Sequence, residues 1–307
     1  MAAAGDLRLA TWHADLSRKG PGLLLRDLLR DDKTLIAAVD QIAGLQPDVL
    51  LLTDIDYDYG LVALGTLQKA LAARGLNLPF VFSARPNNGM PTGIDIDGDG
   101  RLGGPRDAQG YGWFSGQGGQ ALISRFPMSL TADLGHLLWS EVPDSSIVDT
   151  DTGHAVQRLS SSAHWSLQAA VPGGPLTLLT VAATPPLFDG PEDRNGRRNR
   201  DEVLLWLHAI EGRLDYRPKM PFVLMGNLQL DPERGDGYRD VVRDVLDHPA
   251  LQDPLPSQST VSFQNAGDLR LSYILPSADL IVRRAGVAQS VEGVGPHRLV
   301  WVDLTLP

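Results

Sequence analysis

The stretch Pro221-Phe-Val-Leu-Met-Gly-Asn-Leu-Gln-Leu-Asp-Pro232 decides how this chain is read. Phe222 to Leu228 is a short apolar run behind a proline, the pattern of one buried strand. It ends in two amides, Asn227 and Gln229, ahead of Asp231 and Pro232. An amide donates and accepts hydrogen bonds but takes up no proton near neutral pH. A site built on this strand end therefore lacks a general base there.

Five more runs rich in Val, Leu and Ile read as strands: Leu7 to Trp12, Asp48 to Thr53, Leu176 to Ala182, Leu269 to Leu275 and Arg298 to Leu304. Amphipathic segments separate them. Asp32 is placed to N-cap a helix whose Leu35, Val39 and Ile42 share a face, with Pro47 just past its end. A second helix carries Leu61, Leu64, Leu67 and Leu71 and closes on Gly75. A third follows Asp201 with Val203, Trp206, Leu207 and Ile210. The alternation predicts α/β layering, whereas Asn87 to Ser160, rich in Gly, Asp and Ser, should be dominated by loops that shape a site.

Length and composition bound the rest. The chain has 307 residues, 43% of them hydrophobic, with no linker or composition shift, so residues 1–307 are expected to form one domain with a loop-rich insertion at about 85–160. Its net charge of -10 opposes binding to nucleic acid, which rests on cationic neutralisation of phosphates. No cysteine is present, which excludes disulfides and thiolate metal sites and leaves the compartment open. The start lacks an apolar signal core and no apolar run is long enough to span a bilayer, so a soluble chain is expected. The initial Met before small residues reads as the start of a processed, exported protein.

Several words go further. Thr184-Pro-Pro-Leu-Phe-Asp-Gly-Pro-Glu-Asp-Arg-Asn-Gly-Arg-Arg-Asn199, Leu50-Leu-Leu-Thr-Asp-Ile-Asp-Tyr-Asp58, His164-Trp165, Leu269-Arg-Leu-Ser-Tyr-Ile-Leu-Pro-Ser277 and His297-Arg-Leu-Val-Trp-Val-Asp-Leu304 are similar to those of the endonuclease/exonuclease/phosphatase family, in its secreted bacterial branch. The resemblance runs from Leu7 to Leu304. It implies a four-layer sandwich, two packed β-sheets flanked by helices, with the active site where strand ends and loops meet. It also implies phosphoester hydrolysis, which needs a hard cation on carboxylates, a base for water and donors for the phosphoryl oxygens.

The scaffold words are kept while the chemical letters change. Where the family's first strand ends in Asn, this chain has His13; its metal-binding Glu is Asp54, whose oxygens sit about 1.5 Å further back, one carbon-carbon bond. The family's His-Pro becomes Ala182-Ala183, its water-activating Asp becomes Asn227, and the Asn two residues on becomes Gln229. Ser272 replaces the Asp before Tyr-x-Leu-Pro-Ser, and Gly295-Pro296-His297 replaces Ser-Asp-His, keeping the imidazole without its carboxylate. Ser162 and Ser166 stand for the Lys and Asp that flank His-Trp. One such loss can cost orders of magnitude in rate, so these changes together imply a degenerate, pseudoenzyme-like site from which magnesium is lost. The intact Asp189-Gly-Pro-Glu-Asp-Arg-Asn-Gly-Arg-Arg word implies that the fold is still in use.

Other signals carry two readings each. Asp95, Asp97, Asp99 and the Arg101 carbonyl fit the first half of a calcium loop, with Arg106 at the twelfth position and Asp107 or another loop completing the shell; the alternative is a solvated acidic loop. Arg194, Arg197 and Arg198 form either an anion clamp or, as the nearly balanced local charge favours, pairs with nearby acids that fix the loop before the third helix. Trp113, Phe114 and Gly116-Gln-Gly-Gly-Gln120 resemble a site-lining loop of the branch, or simply pack on themselves. His13, Asp54 and His297, if they converge, would suit zinc or iron better than magnesium. The function expected is a binding or scaffolding protein, periplasmic or secreted, for a phosphorylated or anionic ligand or a protein partner. A slow or retuned phosphoesterase, and a module docking through its middle loops, are the alternatives.

Overall fold

The computed structural model describes residues 6–306. Strand β1 (Leu7–Leu16) leads into helices α1 (Leu23–Leu29) and α2 (Lys33–Leu45), then β2 (Val49–Ile55), α3 (Val62–Ala72) and β3 (Phe80–Phe82). The Asp32 carboxylate accepts from the backbone N–H groups of Thr34 and Leu35, which caps α2 as its sequence predicts. Next come β4 (Gly119–Ser124), β5 (Met128–Asp133), β6 (Trp165–Val171), β7 (Gly174–Ala182), α4 (Arg194–Ile210), β8 (Phe222–Asn227) and α5 (Arg239–Leu246). The chain closes with the hairpin β9 (Val261–Phe263) and β10 (Gly267–Leu269), then β11 (Ser272–Pro276), β12 (Ile281–Val287) and β13 (Val300–Thr305).

Two mixed sheets result, ordered β12-β13-β1-β2-β4-β3 and β11-β8-β7-β6-β5. Alternation along each strand sends side chains to opposite faces. Leu9, Leu51, Leu178, Val223, Met225 and Ile274 meet between the sheets. Ala10, Trp12, Leu50 and Leu52 turn outward onto Leu35, Ile42, Leu64 and Leu67 of α2 and α3. On the other side Leu179, Val181 and Leu224 pack on Val203 and Trp206 of α4 and Val241 of α5. The four layers are therefore helix, sheet, sheet, helix. Strands buried on both faces need apolar residues at every position, which is why they appear in the sequence as unbroken runs.

Three expectations change. The stretch 85–160 carries two strands that the sequence reading did not mark, β4, buried at all six positions between β2 and β3, and β5, within a segment that is otherwise mostly loop. The predicted strand 269–275 is split: Leu269 pairs with Val261 in the hairpin, and β11 starts only at Ser272. Helix α4 begins at Arg194, ahead of Asp201, so the arginines lie on helix and not on the loop before it. No helix among the described residues is long and apolar enough to cross a membrane.

Candidate functional site: a cleft where the sheets meet

Parallel pairing brings the ends of β1 and β2 together in one sheet and those of β7 and β8 together in the other. Continuing the alternation that faces Leu9 and Leu51 inward puts His13 and Thr53 on the inner face of the first sheet, as register partners. The same alternation puts Ala182, Asn227 and Ser272 on the inner face of the second, where Ala182 pairs with Asn227 and Asn227 with Ser272. Gly226 permits this close approach. Its φ is +139°, and a Cβ there would lie 1.9 Å from the Val181 carbonyl oxygen.

Asp54 reaches the cleft by a backbone irregularity. The pairing of β2 with β4 shifts between Thr53 and Ile55, and Asp54 sits at φ 58°, in the left-handed region. Asp15 does the same on β1, where the register slips between His13 and Leu16 and φ is 49°. Burial pushes the Asp54 carboxyl up, opposed by His13 and Arg18 and helped by Asp15. Asp56 is also raised by burial, although it accepts from the backbone N–H groups of Gly118, at 3.1 Å, and Arg18, at 2.9 Å.

The imidazoles are neutral. His13 Nδ1 lies 3.0 Å from Thr53 Oγ1, and its ring centroid lies 4.5 Å from that of His297. Burial holds His13 below the ordinary histidine range and His297 down to about 2, the latter with the neighbouring His13 adding to the effect. His297 is seated by its backbone: its carbonyl accepts from Trp12 Nε1 and it bridges to Val261, while Pro296, exposed, accepts from the Ser262 N–H. Thr260 joins this segment to β11, since its Oγ1 accepts from the N–H groups of Leu271 and Ser272 and its carbonyl from that of Arg298.

Three buried polar atoms on these strand ends have no partner: Asn227 Nδ2, Ser272 Oγ and His297 Nδ1. Asn227 Oδ1 accepts from the Gln229 N–H at 3.1 Å, which leaves the amide nitrogen as an unpaired donor. Each such group costs about 1–3 kcal/mol. Ala182 supplies no side-chain donor, and its carbonyl lies 3.5 Å from Ser161 Oγ.

These residues do not fit a divalent metal. At the strand ends stand an amide donor, a hydroxyl and two imidazoles, and the neighbouring carboxylates of Asp15, Asp54 and Asp56 do not bring one oxygen each within 4.8 Å of the others, whereas a hard cation takes several anionic oxygens in one shell. Among the described residues one group of three or more histidine or acidic side chains brings its ligand atoms within 4.8 Å of one another, and it is Asp95, Asp97 and Asp99. His13 and His297 stand with ring centroids 4.5 Å apart and Asp54 acts on His13 through its charge, but the three do not bring one ligand atom each within 4.8 Å of the others. In the acidic loop, Asp95 accepts from the N–H groups of Gly98 and Gly100, and Asp99 from that of Arg101. Asp107 is buried, with its two oxygens on the N–H groups of Ile96 and Gly104, so it braces the loop.

The arginines expected as a clamp are engaged internally. Arg197 forms a forked pair with Asp151 at 2.8 and 3.1 Å. Arg198, buried, donates to the carbonyls of Leu159, Arg158 and Gln109. Arg194 donates to the Thr152 carbonyl and to Gln157. Reading the sequence missed Asp15 and Arg18 as cleft residues, while Thr53 and Gly118 lay inside words already singled out, without a role of their own. Asp56 also lay in the Asp54-Ile-Asp-Tyr-Asp58 word, whereas Asp15 and Arg18 arrive through the bulge at the end of β1.

Packed mixed sheets, outer helices and a polar cleft on the strand ends define the architecture of the metal-dependent phosphoesterases and nucleases. The sequence profile of the Endonuclease/Exonuclease/phosphatase family matches residues 15–293, and the chain belongs to that family. Among solved structures, an endonuclease/exonuclease/phosphatase from Beutenbergia cavernae is similar at a TM-score of 0.63 and 18% identity, over 98% of this chain and 72% of that one. A family protein from Leptotrichia buccalis gives 0.58 at 16% identity, over 96% and 98%. Beta toxin from Staphylococcus aureus gives 0.55 at 11% identity, over 98% and 100%. No curated protein matches the chain.

Proposed function

We propose that this chain is a catalytically degenerate member of its family, which uses the old cleft to bind and not to hydrolyse. The observation that carries the reading is Asn227. It stands at the end of β8 with its oxygen committed to the Gln229 N–H and its buried nitrogen unpaired, so nothing at that position takes a proton from water. The loss of acids at Ser272 and Pro296 points the same way. A retuned phosphoesterase is the second reading, favoured by Asp54, whose raised carboxyl resembles that of a general base.

Manganese soaked into crystals separates the two. Anomalous density beside Asp54 overturns the first reading, and its absence there supports it. We also propose calcium at Asp95, Asp97 and Asp99, where three carboxylates at alternate positions repel one another without a cation. Its role is to order the loop. A calcium site and a chain without cysteine fit a periplasmic or secreted bacterial protein, and fractionation of the source cells tests that placement.

A further inference from the structure

We propose that a second cavity, built beyond the strand ends and lined by none of the cleft residues, binds a small zwitterion, with its ammonium group at Asp247 and its carboxylate at Arg234. Free α-amino acids are the chemical class that fits. The inference stands whether or not the cleft hydrolyses.

The cavity measures about 340 Å³, the lower end of the range for small-molecule sites and room for one amino acid. It lies between the turn that follows β8, the end of α5 and the segment ahead of β9, with Arg270 in its wall. The buried charges of that wall are satisfied internally. Arg270 forks onto Asp253 at 2.7 and 2.6 Å, with its guanidinium 4.4 Å from the centroid of the Tyr273 ring. The buried Asp231 carboxylate accepts from the backbone N–H groups of Glu233 and Arg234, at 2.8 Å each, and of Arg270, at 2.7 Å. Among the described residues, Arg270 with Asp253 is the one ion pair between lining side chains.

The exposed charges behave differently. Arg243 and Asp247 stand four residues apart at the end of α5, a spacing at which opposite charges meet, yet no ion pair joins them. The Arg243 Nε donates instead to the Pro232 carbonyl at 2.7 Å, which draws the guanidinium onto the turn. Asp247 is thereby left at the C-cap of α5, where the carbonyl end of the helix disfavours a carboxylate and favours a cation. A ligand ammonium relieves that mismatch. Arg234, exposed on the turn, has its backbone N–H fixed by Asp231 and its guanidinium paired with no carboxylate, so it is placed to take the ligand's carboxylate in a forked pair. With Arg234 and Arg243 set against Glu233 and Asp247, the exposed lining charges balance. An anion or a cation alone therefore gains less there than one molecule carrying both signs.

Calorimetry on the whole chain at low salt, titrated with arginine, glutamate and leucine and, separately, with acetate and methylammonium, tests the proposal. Saturable binding of at least one of the three amino acids is expected, with acetate and methylammonium weaker by about tenfold or more. Arg234→Ala and Asp247→Ala should each weaken that binding about tenfold. Neither should lower the urea midpoint, since both side chains are exposed. No amino acid bound below roughly 10 mM, acetate or methylammonium bound as tightly as the amino acid, or an affinity indifferent to either variant would overturn it.

Discussion

His164 and His297 show what single residues reveal about this molecule. Burial holds His164 down to about 4, although its Nε2 lies 3.0 Å from the Glu202 carbonyl, and His297 down to about 2. Unfolded, both take up protons near the ordinary 6.5, so below that pH the unfolded chain binds more protons. Their contribution to stability is complete above pH 6.5 and is lost as pH falls toward about 4 for His164 and about 2 for His297, by about 1.4 kcal/mol per unit per histidine. Glu202 and Asp54, raised by burial, act in the opposite sense, so the variant must be compared with its parent. Urea midpoints between about pH 6.5 and 4.5 should fall less steeply for His297→Phe than for the parent. Equal slopes would mean that His297 is not held neutral. The identities of Asn227, Ser272 and His297 were legible in the sequence. Their lack of partners was not, because an unpaired atom is a property of everything packed around it.

Among the elements, α4 is the least legible. Its first two turns, Arg194 to Arg200, have no apolar periodicity, and they are helical because remote loops receive their side chains. Asp201 accepts from Trp139 Nε1 at 2.6 Å and from the Ser146 N–H and Oγ at 2.7 Å, joining the helix to the stretch before β6. Asp201→Ala leaves the buried Trp139 indole N–H and the half-buried Ser146 N–H without their acceptor and should cost about 3 kcal/mol, read as a lower urea midpoint. In β8, Gly226→Ala drives a methyl into the Val181 carbonyl and should cost at least about 2 kcal/mol, or prevent folding. The acidic loop behaves differently. Calcium at a hundred times its dissociation constant should add about 2.7 kcal/mol, seen as a higher melting temperature, and Asp97→Asn should remove most of the gain. Strand β4 was overlooked because Ala121-Leu122-Ile123 is too short to stand out from the glycines before it.

At the scale of the whole molecule the layers were legible, since strands sandwiched between a helix layer and a second sheet must be apolar throughout and the segments between them must be amphipathic. The joining of the two sheets' strand ends into one cleft was carried by the resemblance, not by composition. Bulges at Asp15 and Asp54 left no mark in the sequence beyond the acids themselves. A net charge of -10 and a cleft without unengaged arginines predict no measurable retention on double-stranded DNA at physiological salt, checked by gel shift. The central claim, that the strand ends no longer drive water onto phosphorus, is tested most directly by turnover of bis-p-nitrophenyl phosphate with magnesium, manganese or calcium. The predicted result is a rate indistinguishable from buffer and unchanged by Asp54→Ala; turnover on the order of 1 per second that Asp54→Ala abolishes would contradict it.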